Sequence, residues 1–268
     1  MLASFLNLHE ATPERFGIKD VIAATYINVT AAHEAVAISL RAIVYNLAKH
    51  PAVQKRLALE ISDAVNAKRL SNPATYAETA TLSYLYVTPL TLYHKLFNVC
   101  ESTRSAVVTE ALRLHPGTGL ILERIVPKGG FTIHGTYIPE KTIIGVNCWV
   151  VNRDKTIFGD DAHEFRPERW IDSEPGMIQR MRINLFSFTK SHALLQFSAG
   201  SRSCIGKNIA MMLIKKLTVE IYRSFEVVLA DPEKEWRVSG GWLTRQTNMN
   251  MVLEKRTKLV LVSSEASN

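Results

Sequence analysis

Cysteine is scarce in this chain: Cys100, Cys148 and Cys204 are the only three among 268 residues. Three thiols are too few for a disulfide scaffold and fit a reducing compartment. No apolar run reads as long enough to span a bilayer, and the first residues do not read as a signal peptide. A strong charge bias is missing as well, since 32 Lys and Arg stand against 25 Asp and Glu and leave a net charge of +7 that is scattered rather than blocked. Such a balance permits an acidic partner or an anionic membrane surface and argues against nucleic acid. What the chain does have is apolar bulk: at 47% hydrophobic it can bury one large core or two modest ones.

The most informative stretch is Phe197-Ser198-Ala199-Gly200-Ser201-Arg202-Ser203-Cys204-Ile205-Gly206, a turn-rich loop running into a helix expected over Ile205 to Tyr222. Apolar residues Ile209, Met212, Leu213, Val219 and Ile221 give that helix a packing face. A cysteine at a helix N-terminus sits beside unpaired backbone N–H groups and the positive end of the macrodipole, which favour a thiolate. Gly200 and Gly206 let backbone pass close to a flat ligand, and Arg202 is placed to hold a carboxylate. The spacing of Phe, two Gly, Arg and Cys resembles the haem-binding signature of the cytochrome P-450 superfamily at every fixed position. That resemblance implies haem b with its iron bound by Cys204, Arg202 on a haem propionate, and Phe197 shielding the sulfur. An inert buried thiol is the alternative for any lone cysteine.

The same resemblance organises the rest of the chain. Met1 to Glu10 reads as a short amphipathic segment, and Thr12-Pro13-Glu14 as a helix start with Thr12 as N-cap. Gly17 to Lys49 reads as one long, buried central helix, in the resemblance the distal helix above the haem. The family usually has Ala/Gly-Gly-x-Asp/Glu-Thr-Thr there, whereas this chain has Ala31-Ala32-His33-Glu34-Ala35-Val36. The acid survives as Glu34, but the threonine that commonly holds a relay water is Ala35, which neither donates nor accepts. Glu34, with His33 beside it, is therefore the remaining proton-relay candidate, or else an acid paired inside the core.

Ala52 to Lys68 reads as an amphipathic helix, and Asn72-Pro73 as its break. Residues 86–105 have no counterpart in the family and read as an insertion or as translated intron sequence, Cys100 included. Glu110 and Arg113 share a helix face, a spacing that by itself reads as a surface pair, and the resemblance instead joins them to Arg169, from Phe165-Arg166-Pro167-Glu168-Arg169-Trp170, in a buried charge network. Arg124 matches a position that commonly binds a propionate. Phe131-Thr132-Ile133 and Thr142-Ile143-Ile144 read as strands, with Lys141 where the family has glycine. Trp149 to Gln196 reads as largely irregular, with Pro175-Gly176 as a breaker. Phe225 to Leu229 and Met249 to Leu253 read as strands, with Gly240-Gly241-Trp242 as a hairpin tip between them. Glu235-Trp236, Trp242 and Gln246-Thr247-Asn248 look most like fungal enzymes of the pisatin demethylase type.

The fold expected is mainly α with small β-sheets, 1–268 forming the C-terminal portion of a cytochrome P-450 domain from the distal helix to the last β-hairpin. The function implied is a haem-thiolate monooxygenase that inserts one oxygen atom into a small apolar organic substrate, with an NADPH-dependent reductase as partner. Lys207, Lys215 and Lys216 are candidates for meeting that reductase, against the simpler reading of a solvated helix face. The location implied is the endoplasmic reticulum membrane surface, through an N-terminal anchor outside this chain. Two other readings stay open: a non-catalytic haem-binding remnant, and a haem-thiolate isomerase or dehydratase that needs no reductase.

Overall fold

The computed structural model describes residues 1–85, 106–185 and 195–256, so the expected insertion and Cys100 lie outside the described residues. Helix α1 (Leu2–Ala11) ends at Thr12, whose hydroxyl donates to the Leu8 carbonyl at 2.9 Å. Thr12 thus closes a helix, contrary to its expected role as an opening cap. The start signal for α2 (Ile18–Lys49) lies further on, where the Gly17 N–H donates to Asp20 Oδ2 at 2.8 Å.

Helix α2 divides into two environments. Ile38, Ala42, Ile43 and Leu47 are buried, while Ile18, Ile22, Tyr26, Ile27 and Val29 are exposed. Only the second half is therefore the central core helix expected from the sequence. The helix is also long and apolar enough, by length and composition, to cross a membrane, which corrects the reading that no run is. Inside the protein its second half is held by other elements: α3 (Pro51–Asn66), α5 (Ala106–Leu114), α9 (Lys207–Ser224) and strand β5 (Phe225–Leu229) pack around it, and the short α4 (Tyr76–Thr79) packs on α9.

These elements bury stripes set by helical periodicity. Helix α3 begins with proline at its first position, where no N–H is needed, and buries Leu57, Ala58, Ile61 and Ala64. Its buried Gln54 bonds one residue at both ends: Nε2 donates to the Val227 carbonyl at 2.9 Å and Oε1 accepts from the Val227 N–H at 2.8 Å. Helix α9 starts two residues later than expected and buries Ile214, Lys215, Thr218, Val219 and Tyr222. Ile209, expected on the packing face, is exposed.

Every residue of α5 is buried. Two of them are charged, and their partners come from the 3-10 turn Pro167–Trp170 and the segment before it. Glu110 accepts from Arg113 Nε and Nη2 at 2.9 and 2.8 Å, from Arg169 Nε at 2.8 Å, from Trp170 Nε1 at 2.9 Å and from the Arg166 N–H at 3.1 Å. Arg113 and Arg169 spend their remaining donors on the carbonyls of Asn152, Ala162, Glu164 and Phe158 and on Asp161. The expected network is present, and each charge in it is both paired and hydrogen-bonded, the condition for ions at zero exposure.

Among the described residues the strands form four antiparallel two-stranded ribbons. Strand β1 (Leu122–Ile125) pairs with β4 (Ile143–Val146), and β2 (Phe131–Ile133) with β3 (Thr136–Ile138). Lys141, in the turn before β4, has φ +65, so the missing glycine does strain that turn. Strand β5 pairs with β8 (Met251–Lys255), and β6 (Arg237–Ser239) with β7 (Arg245–Thr247) across the expected Gly240-Gly241-Trp242 tip. Between α5 and the cysteine loop the chain is more helical than its sequence suggested. It holds the short α6 (Cys148–Val151) and α7 (Lys155–Phe158), then the longer α8 (Pro175–Leu185). Pro175 opens α8 instead of breaking it, since proline in a first helical turn removes no needed donor.

Candidate functional site

The cysteine loop is shaped by its own backbone bonds. Phe197 ends a 3-10 turn (Leu195–Phe197), and its carbonyl accepts the Cys204 N–H at 2.7 Å, closing the loop across seven residues. Within it Gly200 has φ +66, a left-handed conformation with open space where a Cβ would stand. Cys204 lies two residues before Gly206, the N-cap of α9, and its thiol is exposed. Gly206 faces it closely enough that an added Cβ would sit 3.9 Å from Sγ. The next residue, Ile205, is 90% exposed. Phe197, expected to cover the sulfur, packs against the main hydrophobic core, and its carbonyl is bonded to the Cys204 N–H.

Arg124 reaches this loop from β1. Its Nη2 donates to Ser198 Oγ at 2.7 Å and to the Ala199 carbonyl at 2.9 Å, and its Nη1 to the Glu123 carbonyl at 2.6 Å. All three acceptors are neutral, so among the described residues no carboxylate answers the guanidinium charge. Arg202, on the loop itself, is exposed. Two of the sequence-predicted residues, Arg124 and Cys204, are thus brought to one loop from elements 80 positions apart in the chain.

Cys148 serves as a contrast. It is buried in α6, and desolvation pushes its thiol up to about 11, the chemistry of an inert core cysteine. Among the described residues no group of three or more His, Cys, Asp or Glu side chains converges on a common point. A single exposed thiol suits a metal that brings its other ligands with it, as a porphyrin does. Arg124, which meets no carboxylate among the described residues, and Arg202 on the loop suit the anionic carboxylates of that macrocycle, and Gly200 leaves open space where a Cβ would stand. The residues present therefore fit haem.

Glu34 is not gathered into this loop. It is exposed at the middle of α2, with no side-chain hydrogen bond or ion pair among the described residues, which removes the alternative of an acid paired in the core. The Ala35 carbonyl is occupied by Ser39 Oγ at 3.0 Å. Lys215 is fully buried, near the Tyr76 ring at 5.4 Å, and is excluded from any docking surface.

The Cytochrome P450 family model matches residues 1–88 and 104–253. The chain belongs to the cytochrome P450 family. Its curated relatives include the cytochrome P450 monooxygenase mpaDE of Penicillium roqueforti, 35% identical over 270 residues that cover 98% of this chain and 28% of that protein. The cytochrome P450 monooxygenase cfoH of Aspergillus candidus is 33% identical over 95% of this chain and 43% of its own length. The cytochrome P450 monooxygenase cicH of Emericella nidulans is 36% identical over 85% of this chain and 40% of its own length. This P450 chain therefore spans less than half the length of these relatives.

Sequence reasoning passed over the residues that brace the P450 site. Ser198 and the Ala199 carbonyl hold Arg124, and only a turn-rich composition hinted at them. Tyr45 donates to Glu235 Oε2 at 2.5 Å and stacks on Trp236 at 4.1 Å, while Gln246 Nε2 donates to the Ile38 carbonyl at 3.0 Å. The residues that looked like a substrate-family pattern thus tie the last ribbons to α2.

Proposed function

We propose that this P450 chain carries the haem-binding part of a monooxygenase acting on a small apolar organic substrate in fungal secondary metabolism. The observation that carries the reading is the exposed Cys204 thiol, presented by a closed loop to which Arg124 brings a positive charge that no carboxylate among the described residues answers. Cys204 would hold the iron, and Arg124 and Arg202 the propionates, with Gly200 and Gly206 giving the macrocycle room. Bound haem supplies dioxygen activation and transfer of one oxygen atom, with electrons from an NADPH-dependent reductase.

The chain's own residues orient and protect. The Glu110 network fixes α5 against the turn that follows α7. Glu34 would be the proton-relay residue, and Ala35 gives it no hydroxyl to pass protons to. Lys207 and Lys216 remain the reductase-facing candidates on α9. The pisatin demethylase type is the finer assignment, the endoplasmic reticulum surface the location, and 86–105 an insertion within one domain.

A second reading is a haem-binding chain without turnover, favoured by Ala35 and by the bare first half of α2, since a site open to water loses controlled chemistry. Reduced protein under carbon monoxide tests both. A thiolate-type band with donor-dependent oxygen consumption supports the monooxygenase, and a band without consumption supports the second reading. Absence of the band, or its persistence in Cys204→Ala, refutes Cys204 as the ligand.

A further inference from the structure

Ser198 is one of the few residues other than glycine in the left-handed region, at φ +60, a conformation that a β-carbon disfavours. Something must hold it there, and two bonds do. Its N–H donates to the Leu195 carbonyl at 2.7 Å, and its Oγ accepts from Arg124 Nη2, also at 2.7 Å. The same Nη2 reaches the Ala199 carbonyl, so one guanidinium nitrogen spans two consecutive residues of the loop. Arg124 in turn is fixed by β1, whose register places it opposite Ile144. Six residues after Ser198 the chain presents Cys204, whose N–H closes on Phe197, the residue preceding Ser198.

We propose that Ser198 is a positioning residue: its hydroxyl takes the Arg124 guanidinium and holds the cysteine loop in its closed turn before any ligand arrives. The inference rests on reading Cys204 as the iron ligand, because that role is what gives the preset turn its value. A ligand held in place in advance binds without first ordering the loop. The Arg124 cation, meeting only neutral oxygens among the described residues, stays available to an incoming carboxylate while it holds Ser198.

Amide hydrogen exchange of the whole chain tests this without haem, read at Cys204 with Tyr222 in α9 as an internal control. Ser198→Gly keeps the left-handed turn and removes the hydroxyl. A hydrogen bond from a charged donor corresponds to a factor of roughly 10 to 100 in a local opening equilibrium, so Cys204 exchange should rise by about that factor while Tyr222 stays slow. Arg124→Met should do the same, and the double variant should exchange no faster than Arg124→Met alone. Ser198→Asn, which tolerates the left-handed region and offers an acceptor, should restore slow exchange. Unchanged exchange in Ser198→Gly overturns the proposal, as does an equal rise from Ser198→Gly in the Arg124→Met background, which would mark plain glycine flexibility. In haem titrations Ser198→Gly should weaken binding by the same factor. A wild-type chain with no thiolate band but with the exchange pattern above sinks the haem reading and leaves the loop clamp standing. A band with unaltered exchange does the reverse.

Discussion

Replacing Glu110 with Gln removes one negative charge from the centre of the protein and changes its volume little. Glu110 has zero exposure and accepts five hydrogen bonds, from Arg113 twice and from Arg169, Trp170 and the Arg166 backbone. Glutamine keeps one acceptor oxygen and turns the other into a donor that faces guanidinium N–H groups. Two buried cations then share only neutral carbonyls and Asp161. Breaking a buried pair in this way costs about 3 to 5 kcal/mol, against a total stability of about 5 to 15 kcal/mol for a folded protein. At about 2 to 4 °C per kcal/mol for chains near this size, the melting temperature should fall by roughly 6 to 20 °C. The sign in pH follows from the same bonds. Burial alone would raise the Glu110 pKa, but the Arg113 hydrogen bonds and the Arg113 and Arg169 charges outweigh it and leave the carboxyl below its ordinary value. Its contribution is therefore present above the ordinary glutamate range, near 4.3, and is lost as pH falls through the lower folded value. Calorimetric scans from pH 7 down to pH 3 should show wild type approaching Glu110→Gln as acid is added. Glu110→Gln melting within 2 °C of wild type at pH 7, or a gap that does not narrow in acid, would refute the argument.

Cys204→Ala should leave the unfolding free energy of the haem-free chain within about 0.5 kcal/mol of wild type, as for an exposed surface change, while abolishing any thiolate-type band. Lys141→Gly should stabilise the chain by about 0.5 to 1 kcal/mol, because φ +65 is disfavoured for lysine and free for glycine; a lower denaturation midpoint would contradict this. Burial and the hydrogen bond to Glu235 push Tyr45 up to about 12. A raised pKa stabilises below the ordinary tyrosine value near 10 and fades as pH climbs toward 12, so alkaline melting of Tyr45→Phe should converge with wild type over that interval.

How far the chain could be read from its residues depended on whether a residue's role was local. The turn of the cysteine loop and the shared helix face of Glu110 and Arg113 were legible, because fixed spacing on a turn or a helix sets them, whereas the burial of that pair came from the family resemblance. The third member, Arg169, needed the family resemblance, since nothing in positions 110 and 169 alone says that they meet. Lys215 was legible in principle and was missed: it lies three and seven residues before Thr218 and Tyr222, on the face that packs inward. Helix α8 was hidden by treating Pro175 as a stop when it occupies the one turn of a helix where proline is harmless. The two environments of α2 were not legible at all, because an apolar residue carries no record of which neighbour covers it. Ser198 escaped for a similar reason: a left-handed serine is fixed by its partner, here an arginine 74 positions away.

The divided character of α2 sets where this protein first yields to attack. From Ile38 onward the rod is gripped by surrounding structure, but in its leading half Val21 is buried while Ile18, Ile22, Tyr26, Ile27 and Val29 face water. Such a segment frays at a small fraction of the free energy needed to melt the whole molecule. Enzymes that cut chains, and chaperones that bind sticky ones, would find their opening there, long before the core around Glu110 loosens.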